Sequence, residues 1–237
     1  MRILAFDSCG KTASVAVYEN GRVAGEIYID TKQTHSATLL PSADWLLQTL
    51  GLKASDVDFV AATVGPGSFT GVRIGMSAAK GIAFGAGAKC IGVSSLYAAA
   101  YAVKDCEGLV CAVMDARCGQ VYNADFRVDN GCIERVCEDR ALAIDELIAE
   151  VRGEKRIVLI GDGALLCKER FGAAGVPCEI ARAGRTGVSA GDVALIAASD
   201  TDAAVSPEAF AVNYIRLSQA ERERNARLNN QNTEATK

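Results

Sequence analysis

Ile3-Leu4-Ala5-Phe6-Asp7, then a glycine-containing turn, then Ala13-Ser14-Val15-Ala16-Val17-Tyr18, then Glu19-Asn20-Gly21 and Val23 to Ile29 read together as a three-stranded meander. The apolar, β-branched runs favour strands, and Asn-Gly is a strong short-range hairpin signal. The pattern returns roughly 100 residues later, a period long enough for a duplicated structural unit. Leu109-Val110-Cys111-Ala112-Val113-Met114-Asp115 is a strand, Arg117-Cys118-Gly119 a turn, and Gln120 to Val128 the return strand. Asp129-Asn130-Gly131 repeats the Asn-Gly turn, and Cys132 to Cys137 is again strand-like. Each meander ends its first strand on an aspartate, Asp7 or Asp115.

The segments after the two meanders also correspond. Leu39, Leu40, Ala43, Leu46, Leu47 and Leu50 recur at helical spacing, with a counterpart from Ile144 to Val151. Asp58 to Val64 and Arg156 to Ile160 read as buried strands, succeeded by helices over Gly71 to Gly87 and Ala164 to Phe171. A short strand (Lys89 to Val93, Cys178 to Ile180) and a further helix (Ser94 to Val103, Ser189 to Ser199) close each unit. The order β-β-β-α-β-α-β-α, twice, predicts an α/β chain of two lobes with a cleft between them. Residues 1–104 and about 200–220 form the first lobe, 105–199 the second, and the polar stretch 221–237 a flexible tail.

Composition narrows the chemistry. At 237 residues, about 70% of the unfolded surface can be buried, so no disulfide or metal staple is needed. The net charge of -4 gives no bulk positive field for nucleic acid. One histidine excludes a metal site within this chain that needs two or three imidazoles. The nine cysteines contain no C-x-x-C pair and read as reduced, apolar core residues. No secretory signal and no membrane span is visible, so the expected location is the cytoplasm.

Ala5-Phe6-Asp7-Ser8-Cys9-Gly10-Lys11-Thr12 fits a permissive Walker A pattern, but its loop leads into a strand rather than a helix. A phosphate loop needs the helix N-terminus, so this one reads as a tight hairpin turn. A weaker nucleotide role would join Asp7, Asp115, Gly161 and Gly163 around the cleft, where Arg117 and Gln120 are bulky. Gly65-Pro66-Gly67-Ser68-Phe69-Thr70-Gly71-Val72-Arg73-Ile74-Gly75 stands at a strand-to-helix junction, with a glycine spacing one residue too long for a dinucleotide fingerprint. Its helix carries small residues at 71, 75, 78, 79, 85 and 86 near Ile82, fit for packing on its own sheet or on another chain. Leu39, Leu40, Trp45 and Leu46 extend that surface. His35 reads as a cap or hydrogen-bonding residue rather than a catalyst, with Thr34 or Ser36 capping the helix and Pro41 in its first turns.

The runs Gly65 to Gly75 and Met114-Asp115-Ala116-Arg117-x-Gly119-Gln120-Val121-Tyr122, with Asp7-Ser8, His35-Ser36, Leu39-Leu40-Pro41 and Ala79-Lys80-Gly81 in order, closely resemble the TsaB (YeaZ) family. Tyr214-Ile215-Arg216 and Gln219-Ala220-Glu221 resemble that family's end. The resemblance implies an actin-like ATPase (ASKHA, ribonuclease H-like) fold. It also implies a non-catalytic subunit of the complex that forms threonylcarbamoyladenosine in tRNA next to the anticodon. Such a subunit dimerises with the catalytic TsaD-type transferase, through Leu39, Leu40, Trp45, Leu46, Arg73, Met76 and Ala79, and works with a TsaE-type ATPase. A homodimer when the partner is absent and an indirect or weak tRNA contact are further expectations. The catalytic relative's His-x-x-x-His is replaced here by Ser94-Ser95-Leu96-Tyr97-Ala98-Ala99, so ATP and metal are expected on partner subunits. Cys118 and Gln120 depart from the family's usual Arg and Glu. The alternative is an ATP-binding phosphotransferase of the same fold, using Asp7, Asp115 and Gly161 to Gly163.

Overall fold

The computed structural model describes residues 1–31, 33–181 and 187–215. The first unit forms β1 (Arg2–Asp7), β2 (Ala13–Glu19), β3 (Arg22–Ile29), α1 (His35–Thr49), β4 (Phe59–Gly65), α2 (Phe69–Ala86), β5 (Lys89–Ser94) and α3 (Ser95–Tyr101). The second forms β6 (Gly108–Asp115), β7 (Gln120–Asp129), β8 (Cys132–Arg135), β9 (Arg140–Ala143), α4 (Ile144–Val151), β10 (Ile157–Ile160), α5 (Ala164–Ala173), β11 (Glu179–Ile180) and α6 (Ala190–Ser199). The sheets run β3-β2-β1-β4-β5 and β8-β7-β6-β10-β11. In each, an antiparallel meander continues into two parallel strands, the topology of the two-lobed actin-like ATPase fold.

Both Asn-Gly turns take positive φ at both residues, Asn20 (51°) with Gly21 (89°) and Asn130 (49°) with Gly131 (76°). That geometry matches the twist of the flanking strands, which is why the pair recurs at the same point of each unit. The repeat is not complete. β9 is a strand the sequence pattern did not show, because Arg-Ala-Leu-Ala has no strong β preference. It pairs with the first half of β7 while β8 pairs with the second half, so the third strand of the second meander is broken in two.

Five layers result. Along β1, Ile3 and Ala5 face inward between the sheets, while Leu4 and Phe6 face the outer layer of α1 and α2. Along β6, Val110, Ala112 and Met114 face inward, and Leu109, Cys111 and Val113 face the outer layer of α4 and α5. Strands covered on both faces are apolar at successive positions, as these are. The central layer holds α3 and α6, and each packs across the unit boundary. α3 lies on β6 and β7 as well as β4 and β5, and α6 lies on the first sheet from β1 to β5. Residues 105–199, read from sequence as one lobe, therefore give their last helix to the other sheet. Ser14 ties that helix down, donating to the Val188 carbonyl (3.1 Å) and accepting from the Ala190 amide (2.8 Å).

The helix ends obey local chemistry. Ser68, Ser94 and Ser189 cap α2, α3 and α6 by accepting from the amides of Gly71, Tyr97 and Asp192, and Gly87 ends α2 in the left-handed conformation. In α1 the N-cap is Thr34, one of the two residues read as caps, although its side chain makes no capping bond, and Pro41 stands in the second turn of the helix. Arg216, Gln219, Ala220, Glu221 and the tail to 237 lie outside the described residues.

Candidate partner surface and interlobe cleft

The outer helices divide the sequence-predicted surface in two. Leu40 and Trp45 on α1 are 49% and 60% exposed, and Arg73 on α2 is also exposed. Leu39, Leu46, Met76 and Ala79 are buried against the first sheet. A helix turns 100° per residue, and Leu39 points into the sheet while Leu40, one step round at the edge of that face, points away from it. These four residues are corrected from partner contacts to core. The surface also contains Phe84, 55% exposed on α2 and overlooked in sequence. Its signal is the spacing from Arg73, eleven residues or about three helical turns, which returns it to the same face. A groove of about 550 Å³ runs between α1 and α2, walled by Leu40, Phe69, Arg73 and Ile74.

The small-residue stripe serves two purposes. A Cβ on Gly71 would collide with the Ser8 carbonyl, and one on Gly75 would meet the Ser8 hydroxyl at 2.5 Å. At its N-terminal end the stripe therefore admits the β1–β2 hairpin of the same chain. At Gly81 and Gly85 a Cβ would meet nothing within 4 Å, so that end faces open space.

Arg73 is held locally. Its guanidinium carbon lies 3.8 Å from the Phe69 ring centroid, and its Nε donates to Tyr214 Oη at 2.6 Å. Phe69 and Tyr214 stack at 5.2 Å. The segment leading to Tyr214 is fastened by the Asn213 amide donating to the Val64 carbonyl and by Lys80 Nζ donating to the Phe210 carbonyl, both at 2.9 Å. This aromatic–arginine cluster joins the outer groove to the cleft.

The cleft between the lobes has a volume of about 510 Å³ and is lined by both hairpins, the α2 N-terminus, Asp162 and the segment from Val212 to Ile215. The β1–β2 hairpin turns its polar groups inward. Asp7 Oδ1 accepts from the Cys9 amide (3.2 Å) and Thr63 Oγ1 (2.8 Å). The Ser68 amide donates to the Cys9 carbonyl (2.7 Å), and His35 Nε2 donates to the Gly10 carbonyl (3.0 Å). His35 thus positions the turn, as a hydrogen-bonding residue. Burial pushes the Asp7 carboxyl up, opposed by its bonds from Cys9 and Thr63. Burial likewise holds the Cys9 thiol well above its ordinary value, with Asp7 adding to it, which suits an unreactive core thiol.

In the second lobe, Asp115 Oδ1 accepts from the Arg117 amide at 2.7 Å, and Arg117 and Cys118 take left-handed φ of 65° and 54°. Gly161 adopts φ 105°, and a Cβ there would collide with the Val113 carbonyl. The Gly163 amide donates to that same carbonyl at 3.1 Å. The Gly161-Asp162-Gly163 corner is therefore packed on the end of β6. Asp162 leaves α5 uncapped and accepts from the Asp115 amide instead, at 3.1 Å. Among the described residues, no group of three His, Cys, Asp or Glu side chains is placed to hold a metal ion, and no helix is long and apolar enough to cross a membrane.

Comparison with known proteins places these features. The model of the family described as "TsaD: tRNA N6-adenosine threonylcarbamoyltransferase" matches residues 25–222. The chain is 38% identical over 152 residues to the tRNA threonylcarbamoyladenosine biosynthesis protein TsaB of Escherichia coli, covering 63% of this chain and 65% of that one. It is 32% identical over 159 residues to the TsaB of Bacillus subtilis, covering 67% and 69%. These matched segments therefore span 65% and 69% of the curated relatives' own lengths. A Pseudomonas aeruginosa crystal structure described as having similarity to peptidase YEAZ superposes with a TM-score of 0.77 at 25% identity, covering 91% of this chain and 99% of that one. A second, YeaZ from Pseudomonas aeruginosa, gives 0.72 at 24% identity, covering 90% and 99%.

Proposed function

The chain belongs to the TsaB (YeaZ) family, and from that premise we propose that it is a non-catalytic subunit in forming threonylcarbamoyladenosine in tRNA. It acts by docking the outer face of α1 and α2 on the catalytic TsaD-type transferase. The observation that carries this reading is the exposed apolar set Leu40, Trp45 and Phe84 on the two helices flanking an open groove. An open groove walled by Leu40, Phe69 and Ile74, with Trp45 and Phe84 exposed elsewhere on the same two helices, is the kind of apolar surface that marks an interaction site. ATP and metal chemistry belong to the partner subunits, including a TsaE-type ATPase. The complex works in the cytoplasm, the same face forms a homodimer when the partner is absent, and any tRNA contact by this chain is indirect or weak.

The burial pattern selects the variants. Leu39→Glu and Ala79→Arg place charge in the core and test folding rather than docking. Leu40→Glu and Trp45→Glu leave the melting temperature within a few degrees of wild type. They reduce co-purification with the catalytic subunit at least about tenfold, a change of roughly 1.4 kcal/mol. Reconstituted tRNA modification, with the catalytic and ATPase subunits supplied, falls in parallel. Full complex formation by both variants would overturn the docking surface, and full modification without this chain would overturn the role.

A further inference from the structure

The cleft is distinguished by the groups that already occupy its hydrogen-bond donors. Three backbone amides of residues lining it, those of Cys9, Arg117 and Asp115, are each taken by a carboxylate of the chain, from Asp7, Asp115 and Asp162 respectively. The first two belong to the equivalent hairpins of the two units. These are the donors that loops of this kind would offer to a phosphate. The third carboxylate comes from the glycine corner that packs on β6, and its side chain opens into the cleft together with Lys11, on the opposite lobe.

We infer that Asp162 is an internal anion filling the phosphate end of the cleft, so that phosphate-bearing ligands are excluded by charge and by the loss of donors, although the cleft is large enough to admit them. Its carboxylate completes a bond to the Asp115 amide that an arriving phosphate would have to displace. Burial pushes the Asp162 carboxyl up, opposed first by its bond from the Asp115 amide and last by Lys11. Lys11 and Asp162 line the same cleft from opposite lobes. A phosphate entering beside Lys11 meets an anion already in place, and like charges in a partly desolvated cleft repel strongly. The size of the cavity, about 510 Å³, lies within the range of small-molecule sites, so volume alone does not exclude a nucleotide. This selectivity resides in the cleft and is independent of the α1–α2 docking face.

Titration calorimetry on the full chain tests it, with ATP, inorganic pyrophosphate and adenosine as separate probes. The wild type should bind ATP and pyrophosphate no tighter than about millimolar. Asp162→Asn keeps an oxygen for the Asp115 amide but removes the charge, and should gain at least about tenfold for ATP and pyrophosphate. Adenosine should gain nothing, which identifies the phosphate rather than the base as the recognised group. Asp162→Ser should behave as Asp162→Asn does, guarding against a fold defect in one variant, whereas Asp162→Glu should remain closed. Lys11→Ala in the Asp162→Asn background should remove the gain. Micromolar ATP binding by the wild type would overturn the inference. So would unchanged binding in both folded neutral variants, or a gain confined to adenosine.

Discussion

The hairpins after β1 and after β6 carry the same turn, an aspartate accepting from the amide two residues on, yet Asp7 is buried and Asp115 is exposed. The turn is encoded within three residues and survives in both units. Burial is decided by the neighbouring helix. α2 has no side chains at Gly71 and Gly75, so its N-terminal turns settle on Ser8 and enclose Asp7 with Thr63. α5 is eight residues shorter than α2, and its leading corner grips the end of β6 rather than the loop. That leaves Asp115, Arg117 and Cys118 open to solvent. One local motif thus serves as a packed element in one lobe and as a cleft rim in the other.

The largest expected effect lies at the helix contact. Gly71→Ala should cost about 3 kcal/mol or more, because the new methyl meets backbone and no side chain can yield. Gly119→Ala, on the open hairpin at φ 72° with nothing within 4 Å, should cost about 1 kcal/mol through backbone strain alone. Equal urea midpoints for the two variants would break the contrast. Next in size, Thr63→Val removes a donor from the buried Asp7 carboxyl and should cost about 1–3 kcal/mol, while Arg117→Ala should stay within about 0.5 kcal/mol of wild type.

The smallest effect is a pH dependence. Folding raises the Asp7 pKa above its ordinary 3.8, chiefly through burial, so the folded state holds that proton more tightly than the unfolded chain. Its contribution to stability is complete below the ordinary value and is lost as pH rises through the raised one. Urea midpoints of the wild type should therefore fall relative to those of Asp7→Asn on going from acid toward neutral pH. A difference between the two that stays constant across that range would show that Asp7 titrates as it does in the unfolded chain.

Much of the architecture was legible because it rests on periodicity. Alternation along β1 and β6, the paired Asn-Gly turns and the glycine-capped α2 are written in neighbouring residues. β9 was not legible, since Arg140–Ala143 becomes a strand only by lying beside β7. The partner surface was half legible. The apolar spacing marked α1 as amphipathic, but Leu39 and Leu40 are both leucine, and only the sheet beneath decides which faces solvent.

The sequence by itself determined the repeated unit, the helix and strand types, and the absence of a paired-histidine metal site, because these depend on residue identity and short-range spacing. The tertiary structure decided which leucines are surface, which aspartate is buried, and that Asp162 and Lys11 line one cleft. These arise from contacts between residues far apart in the chain, such as Ser8 with Gly71 and Asp115 with Asp162, which no local pattern specifies. The placement of α3 and α6 between the sheets is of the same kind. Each helix is apolar enough in sequence to be buried, but only packing chooses the sheet that receives it.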